Sequence, residues 1–244
     1  MSNEQRKKIN VKLILGRILM LIGTPALLIL FWRFGAKKFY LCSLVVIVMA
    51  MVPFFLRFEK RKPQAREMVT LAVLCAISVA SRAAFAMIPH FKPMVGIIMI
   101  VGMAFGPEAG FLTGAMSAFV SNFIFGQGMW TPWQMFAYGI GGFIAGLFYR
   151  WNIIGERDKS QRVITPIFGF LGIVGVVGPI LDLCSIFTMG NEVTTEWAVS
   201  IFISGFPVNV IHGVATALTL LLLCKPMMEK LNRIKVKYGM ISAD

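Results

Sequence analysis

Residues 198–224 read AVSIFISGFPVNVIHGVATALTLLLLC, an apolar run without a single Asp, Glu, Lys or Arg. A helix needs about 20 such residues to cross roughly 30 Å of hydrocarbon, and no soluble core requires a run of that length. Working outward, Leu13 to Trp32 and Phe39 to Leu56 meet or approach the same length. Hydrophobic residues make up 57% of the 244-residue chain and charged ones 14%, with the charges clustered between the apolar runs. The ten-residue alternation of apolar and polar side chains that marks an outer-membrane barrel does not occur. The expected fold class is all-α: a polytopic membrane helical bundle.

Eight segments emerge: Leu13 to Trp32, Phe39 to Leu56, Met68 to Ile88, Pro93 to Phe105, Ala109 to Phe125, Thr131 to Tyr149, Val163 to Phe187 and Ala198 to Cys224. The fourth is short, about 18 Å at 1.5 Å per residue, and charge decides whether it crosses. Eight crossings gather Arg6 to Arg17, Arg57 to Arg66, Arg150 to Arg162 and Lys225 to Lys237 on one side. That is the large majority of the 24 basic residues, and the positive-inside rule makes that side cytoplasmic. Arg33, Lys37, Lys38 and Lys92 stay outside, and Arg82 lies within a helix. Both termini are then cytoplasmic, and the fourth helix is expected to gain length by including His90 and Phe91. The first segment follows Arg6, Lys7, Lys8 and Lys12, but it is too long for a signal peptide and has no small-residue cleavage pattern before Arg33.

The net charge of +13 does not make a nucleic-acid surface, because the basic residues sit at helix ends instead of on one face. Cys42, Cys75, Cys184 and Cys224 lie in apolar segments without the paired spacing of a zinc or redox site, so they read as packing residues. No metal site and no bound cofactor is expected.

The polar residues of the last six segments favour the outer half. Arg82, Asn122 and Asp182 fall one to one and a half turns from the external ends of their helices. Gln134 and Tyr138 open the sixth from outside, and His90 joins them at the outer start of the fourth. Asn209 lies deeper, three residues from His212, which reads as a packing residue. An ionisable group in hydrocarbon costs about 2.5 to 3.5 kcal/mol on insertion scales, so Arg82 and Asp182 should face protein or water, either paired as a structural bridge or lining a pocket. Two external loops add aromatics and amides: Gln127, Trp130 and Trp133 in one, Asn191 and Trp197 in the other. Tryptophans there serve either as interfacial anchors or as a lid over a heterocyclic solute, where stacking supplies area and amides supply orientation.

Taken together, these residues resemble the substrate-binding S components of energy-coupling factor (ECF) transporters, the prokaryotic vitamin importers. The likeness covers roughly Arg66 to Lys237. It rests on the alanine-rich helix with Ala72, Ala76, Ala80 and Ala84, on the turn from Phe105 to Gly110, and on the run from Ser121 to Gly146 with its Trp-Thr-Pro-Trp-Gln stretch and paired glycines. Alanines four apart let another helix approach closely. The resemblance implies that this alanine face docks a transmembrane T component, whereas Gly110, Gly114 and Ala118 are expected to pack internally.

The resemblance also implies a six-helix S-component core at 63–237. It is preceded by a cytoplasmic tail and two extra transmembrane helices in 1–62 and followed by a cytoplasmic tail at 238–244. The chain carries no phosphate-cradling Walker A pattern, so energy is expected from two partner ATPase subunits acting through the T component. The expected location is the prokaryotic cell membrane, and the expected cargo a vitamin-class small molecule, cobalamin first by overall likeness. An intramembrane enzyme lacks its His-Glu-x-x-His or paired acidic signature. A scaffold subunit leaves the outer polar residues without a reason, and an ion-coupled carrier lacks the internal repeat such folds commonly show.

Overall fold

A computed structural model of the chain describes residues 3–33, 39–57, 65–189 and 193–240. All the described secondary structure is helical: α1 (Asn3–Ile18), α2 (Thr24–Arg33), α3 (Phe39–Arg57), α4 (Ala65–Ala84), α5 (Met94–Phe105), α6 (Pro107–Phe125), α7 (Trp130–Arg150), α8 (Lys159–Gly172), α9 (Gly178–Met189) and α10 (Thr195–Tyr238). Wider π-type turns at Leu19–Gly23 and Ile173–Val177 fuse α1 to α2 and α8 to α9. The ten helices therefore form eight rods, one for each apolar segment. By length and composition, Val11–Trp32, Ala65–Ala84, Gln161–Met189 and Thr195–Tyr238 can cross a membrane, while Tyr40–Leu56 and Met94–Phe105 are shorter apolar helices.

Several boundaries differ from the sequence expectation, and two of the differences bear on the packing. The third rod stops at Ala84 and the chain turns from Phe85 to Pro93, with His90 at a left-handed φ of 60°. His90 and Phe91 therefore do not lengthen α5, which stays at 12 residues. It can be short because every one of its residues is buried: α4, α6, α7 and α10 wrap it, so its ends need not match the thickness of the lipid. At the other end of the chain, α10 runs past Cys224 to Tyr238, where Gly239 closes it in a left-handed cap. Lys235 on this extension donates from Nζ to the Ala104 carbonyl at 2.8 Å and ties α10 beneath the end of α5.

Glycine makes the centre of the bundle dense. A Cβ on Gly142 of α7 would fall 2.5 Å from the Gly110 carbonyl oxygen of α6, and one on Gly102 of α5 would fall 2.0 Å from the Gly142 oxygen. Three backbones thus meet with no side chain between them, the small-residue packing that membrane helices use in place of a hydrophobic driving force. Gly114 likewise abuts the Tyr138 backbone and Ala118 is fully buried, as expected for an internal face.

Around that centre α4 packs on α5 and α6, α3 packs on α6 and α7, and α10 packs on α5, α8 and α9. The N-terminal rods touch the core at both ends. Arg17 of α1 reaches Glu108 at the start of α6, and Trp32 of α2 lies 5.0 Å from Phe187 of α9, ring centre to ring centre. They leave α4 open: Ala72, Ala76, Ala80 and Ala84 are all exposed, flanked by exposed Val69, Val73 and Ile77.

Candidate functional site

At the end of the bundle that the charge pattern assigns to the outside, a polar network bridges α4, α6 and α7. Arg82 donates from Nη1 to Ser121 Oγ at 2.6 Å and to Asn122 Oδ1 at 2.9 Å, while its guanidinium covers the Phe125 ring. Asn122 is completely buried and spends its amide hydrogens on Thr131 Oγ1 at 3.0 Å and Gln134 Oε1 at 2.9 Å. Thr131 donates in turn to Gln127 Oε1, and Gln127 donates to the Phe119 carbonyl, closing the α6–α7 turn. Four of the expected site residues, Arg82, Asn122, Gln127 and Gln134, thus fall into one network.

Asp182 does not pair with Arg82. It accepts a hydrogen bond from Asn209 Nδ2 at 2.8 Å across α9 and α10. Glycines notch both helices to admit this pair: a Cβ on Gly205 would stand 2.3 Å from Asp182 Oδ1, and one on Gly178 2.4 Å from Asn209 Cγ. The outer polar residues therefore form two separate groups. A groove of about 620 Å³ runs along the outer half of α10, lined by Thr195, Glu196, Val199, Ser200, Ile203 and Ser204. A second, of about 550 Å³, is lined only by apolar residues of α3.

The aromatic residues are placed unevenly. Trp130 and Trp133 belong to the first turn of α7 and not to a loop. Trp133 is buried and stacks on Phe187 at 5.7 Å, whereas Trp130 is exposed and folds over Gly128. Trp197 donates from its indole to the Ile186 carbonyl, and Thr194 caps its helix. His90 is exposed in the turn after α4. Asn191 lies outside the described residues.

One further position stands out by its burial. His212 is 4% exposed, presents its ring edge-on to Tyr138 at 6.0 Å, and its Nε2 has no hydrogen-bond partner. The Tyr138 hydroxyl, fully buried Thr216 Oγ1 and Thr113 Oγ1 are also unpartnered. Buried polar atoms are nearly always hydrogen-bonded, so these four atoms on α6, α7 and α10 stand out among the described residues. The signal in the sequence was Asn209, His212 and Thr216 at helical spacing on one face. Among the described residues no three His, Cys, Asp or Glu side chains gather to hold a metal.

The described residues form an all-helical membrane bundle with an amide–guanidinium network at one end and an open small-residue helix face. Residues 62–229 match the ECF-type riboflavin transporter S component, more than half of the chain, and the chain belongs to that family. It is a multi-pass cell-membrane protein of a family of transporter subunits, not of enzymes. Curated relatives align over shorter stretches. An UPF0397 protein of Aliivibrio salmonicida is 32% identical over 85 residues, 33% of this chain and 46% of the relative. An UPF0397 protein of Aliivibrio fischeri is 33% identical over the same shares. A major facilitator superfamily multidrug transporter of Aspergillus fumigatus is 35% identical over 69 residues, 28% of this chain and 13% of the relative. The chain spans less than half the length of the curated relatives it matches. No solved structure matches it.

Proposed function

We propose that this chain is the solute-binding subunit of an ECF importer and that it captures riboflavin, or a flat heterocyclic vitamin of that class, from outside. The observation that carries the reading is the family match over residues 62–229, whose name specifies riboflavin. Cobalamin, the sequence expectation, finds no support in that match. The site chemistry suits a flavin: Trp133 and Phe187 offer a stacked aromatic wall, and unpartnered Tyr138, His212 and Thr216 offer hydrogen bonds to the polar edge of a ring system. Both termini face the cytoplasm in this reading, by the positive-inside rule. The exposed Ala72, Ala76, Ala80 and Ala84 face receives the T component, two ATPase subunits supply the energy, and the bundle reorients to release cargo inside.

Titrating the purified full chain with riboflavin, followed by loss of flavin fluorescence, tests the reading. Saturable quenching supports it. Saturable binding of cobalamin with none of riboflavin would replace the cargo, and no binding of either, together with failure to co-purify with any T component, would overturn the whole assignment.

A further inference from the structure

Trp32 lies outside the residues that match the family, on the rod that precedes the core. It nevertheless reaches the aromatic wall. Its ring centre is 5.0 Å from that of Phe187, with planes at 52°, and Phe187 in turn stacks on Trp133 at 5.7 Å with planes at 26°. Exposure falls along the series: Trp32 is 39% exposed and Trp133 only 7%. Phe187 thus contacts an indole from α2 and an indole from α7. The rod that carries Trp32 cannot easily slide away, because Arg17 is anchored on buried Glu108 at its other end.

We propose that Trp32 is a positioning residue for the solute site: it holds Phe187, and through Phe187 fixes the plane of Trp133. Without Trp32, Phe187 loses one of its two indole contacts and its ring gains freedom to change rotamer, so Trp133 loses the surface that sets its plane. Trp133 sits in the same helical turn as Thr131 and Gln134, which hold Asn122, so a change there passes to the polar network as well. The extra N-terminal rods then serve as the outer support of the aromatic wall, which a six-helix core alone would lack. The ligand arm of the test rests on the riboflavin reading; the packing arm does not.

The five tryptophans can be labelled with fluorine on the indole and followed by 19F resonance in the intact chain, assigned by single Trp→Phe variants. In the ligand-free protein, Trp32→Ala is expected to shift or broaden the Trp133 resonance and leave Trp151, at the opposite end of α7, unchanged. Trp32→Phe is expected to restore it. Trp32→Leu keeps apolar bulk without an aromatic face and serves if the alanine variant does not fold. A Trp133 resonance unmoved in both variants overturns the proposal, whether or not riboflavin binds. Where riboflavin binds, Trp32→Ala should speed its dissociation by about two- to twelve-fold, the factor that corresponds to one lost aromatic pair, with Trp32→Phe near the parent rate. A lowered melting temperature with an unchanged dissociation rate would reduce Trp32 to a structural role and sink the proposal.

Discussion

Arg17 and Glu108, 91 residues apart, form an ion pair in which the Arg17 Nε and Nη2 both donate to one Glu108 oxygen, the Nε bond at 2.7 Å. Glu108 is wholly buried at the first turn of α6, where the helix dipole already favours a carboxylate, while the Arg17 side chain keeps a quarter of its surface. The N-terminal rods are thereby joined to the turn that starts with Gly106, whose φ of 96° favours glycine.

Removing Arg17 takes a charge-assisted partner away from the buried Glu108 carboxylate. A fully buried pair loses about 3–5 kcal/mol when one partner is deleted, and the partial exposure of Arg17 reduces that to about 1–3 kcal/mol. Arg17→Gln is expected to lower the melting temperature in detergent, and Glu108→Gln to lower it less, because it leaves no buried charge behind. Equal losses in the two variants would contradict this account.

Gly142→Ala is expected to abolish the folded bundle. Its Cβ would meet the Gly110 carbonyl carbon and oxygen at 2.7 and 2.5 Å, both backbone atoms fixed inside helices, so neither can yield without separating α6 from α7. Gly141→Ala makes the control. Its Cβ would meet side-chain atoms of Val95, Val177 and Met99 at 3.3, 3.4 and 3.7 Å, which can shift by a few tenths of an ångström. Size-exclusion profiles of the two variants should show a monodisperse peak for the second and aggregate for the first.

Glu156, in the turn between α7 and α8, has its carboxyl pKa raised, chiefly because burial disfavours the ionised form; neighbouring Arg157 and Lys235 oppose the shift. One of its carboxylate oxygens is buried without a partner. The protonated group is therefore favoured in the fold, so its stabilising contribution is present at low pH and is lost as pH rises from the ordinary carboxylate value through the raised one. Glu156→Gln should remove that fall and melt higher than the parent at neutral pH. A parent melting profile that is flat across mildly acidic pH would refute the assignment.

The apolar runs made the eight rods legible, because hydrocarbon thickness sets a minimum length that Leu13 to Trp32 and Ala198 to Cys224 display openly. The turn from Phe85 to Pro93 was not legible, since a buried α5 escapes that minimum and hydropathy alone does not report burial by protein. Polar depth pointed to Arg82, Asn122 and Gln134, which do meet. It could not separate them from Asp182 and Asn209, because depth along a helix carries no information about its rotation. Trp32 was invisible for a related reason: it marked a helix end, and only packing shows that it reaches Phe187.

The Asp182–Asn209 pair decides between an importer driven by partner ATPases and an ion-coupled carrier. In a carrier, a carboxylate buried near the outer leaflet would bind and release a proton or sodium ion, and its charge would be indispensable. Here the carboxylate is seated in the Gly205 notch and held by the Asn209 amide, an arrangement that an asparagine can reproduce by accepting the same hydrogen bond through its own carbonyl oxygen. Asp182→Asn is therefore expected to leave riboflavin affinity within about five-fold of the parent, since one neutral hydrogen bond replaces one charge-assisted bond and the net difference is about 0.5–1 kcal/mol. Uptake into vesicles that hold the chain with its T component and ATPases should persist in this variant and depend on ATP. Gly205→Ala, by contrast, drives a methyl group into Asp182 and should reduce binding. Uptake that vanishes in Asp182→Asn and responds to an imposed ion gradient without ATP would make Asp182 a coupling site and displace the importer reading.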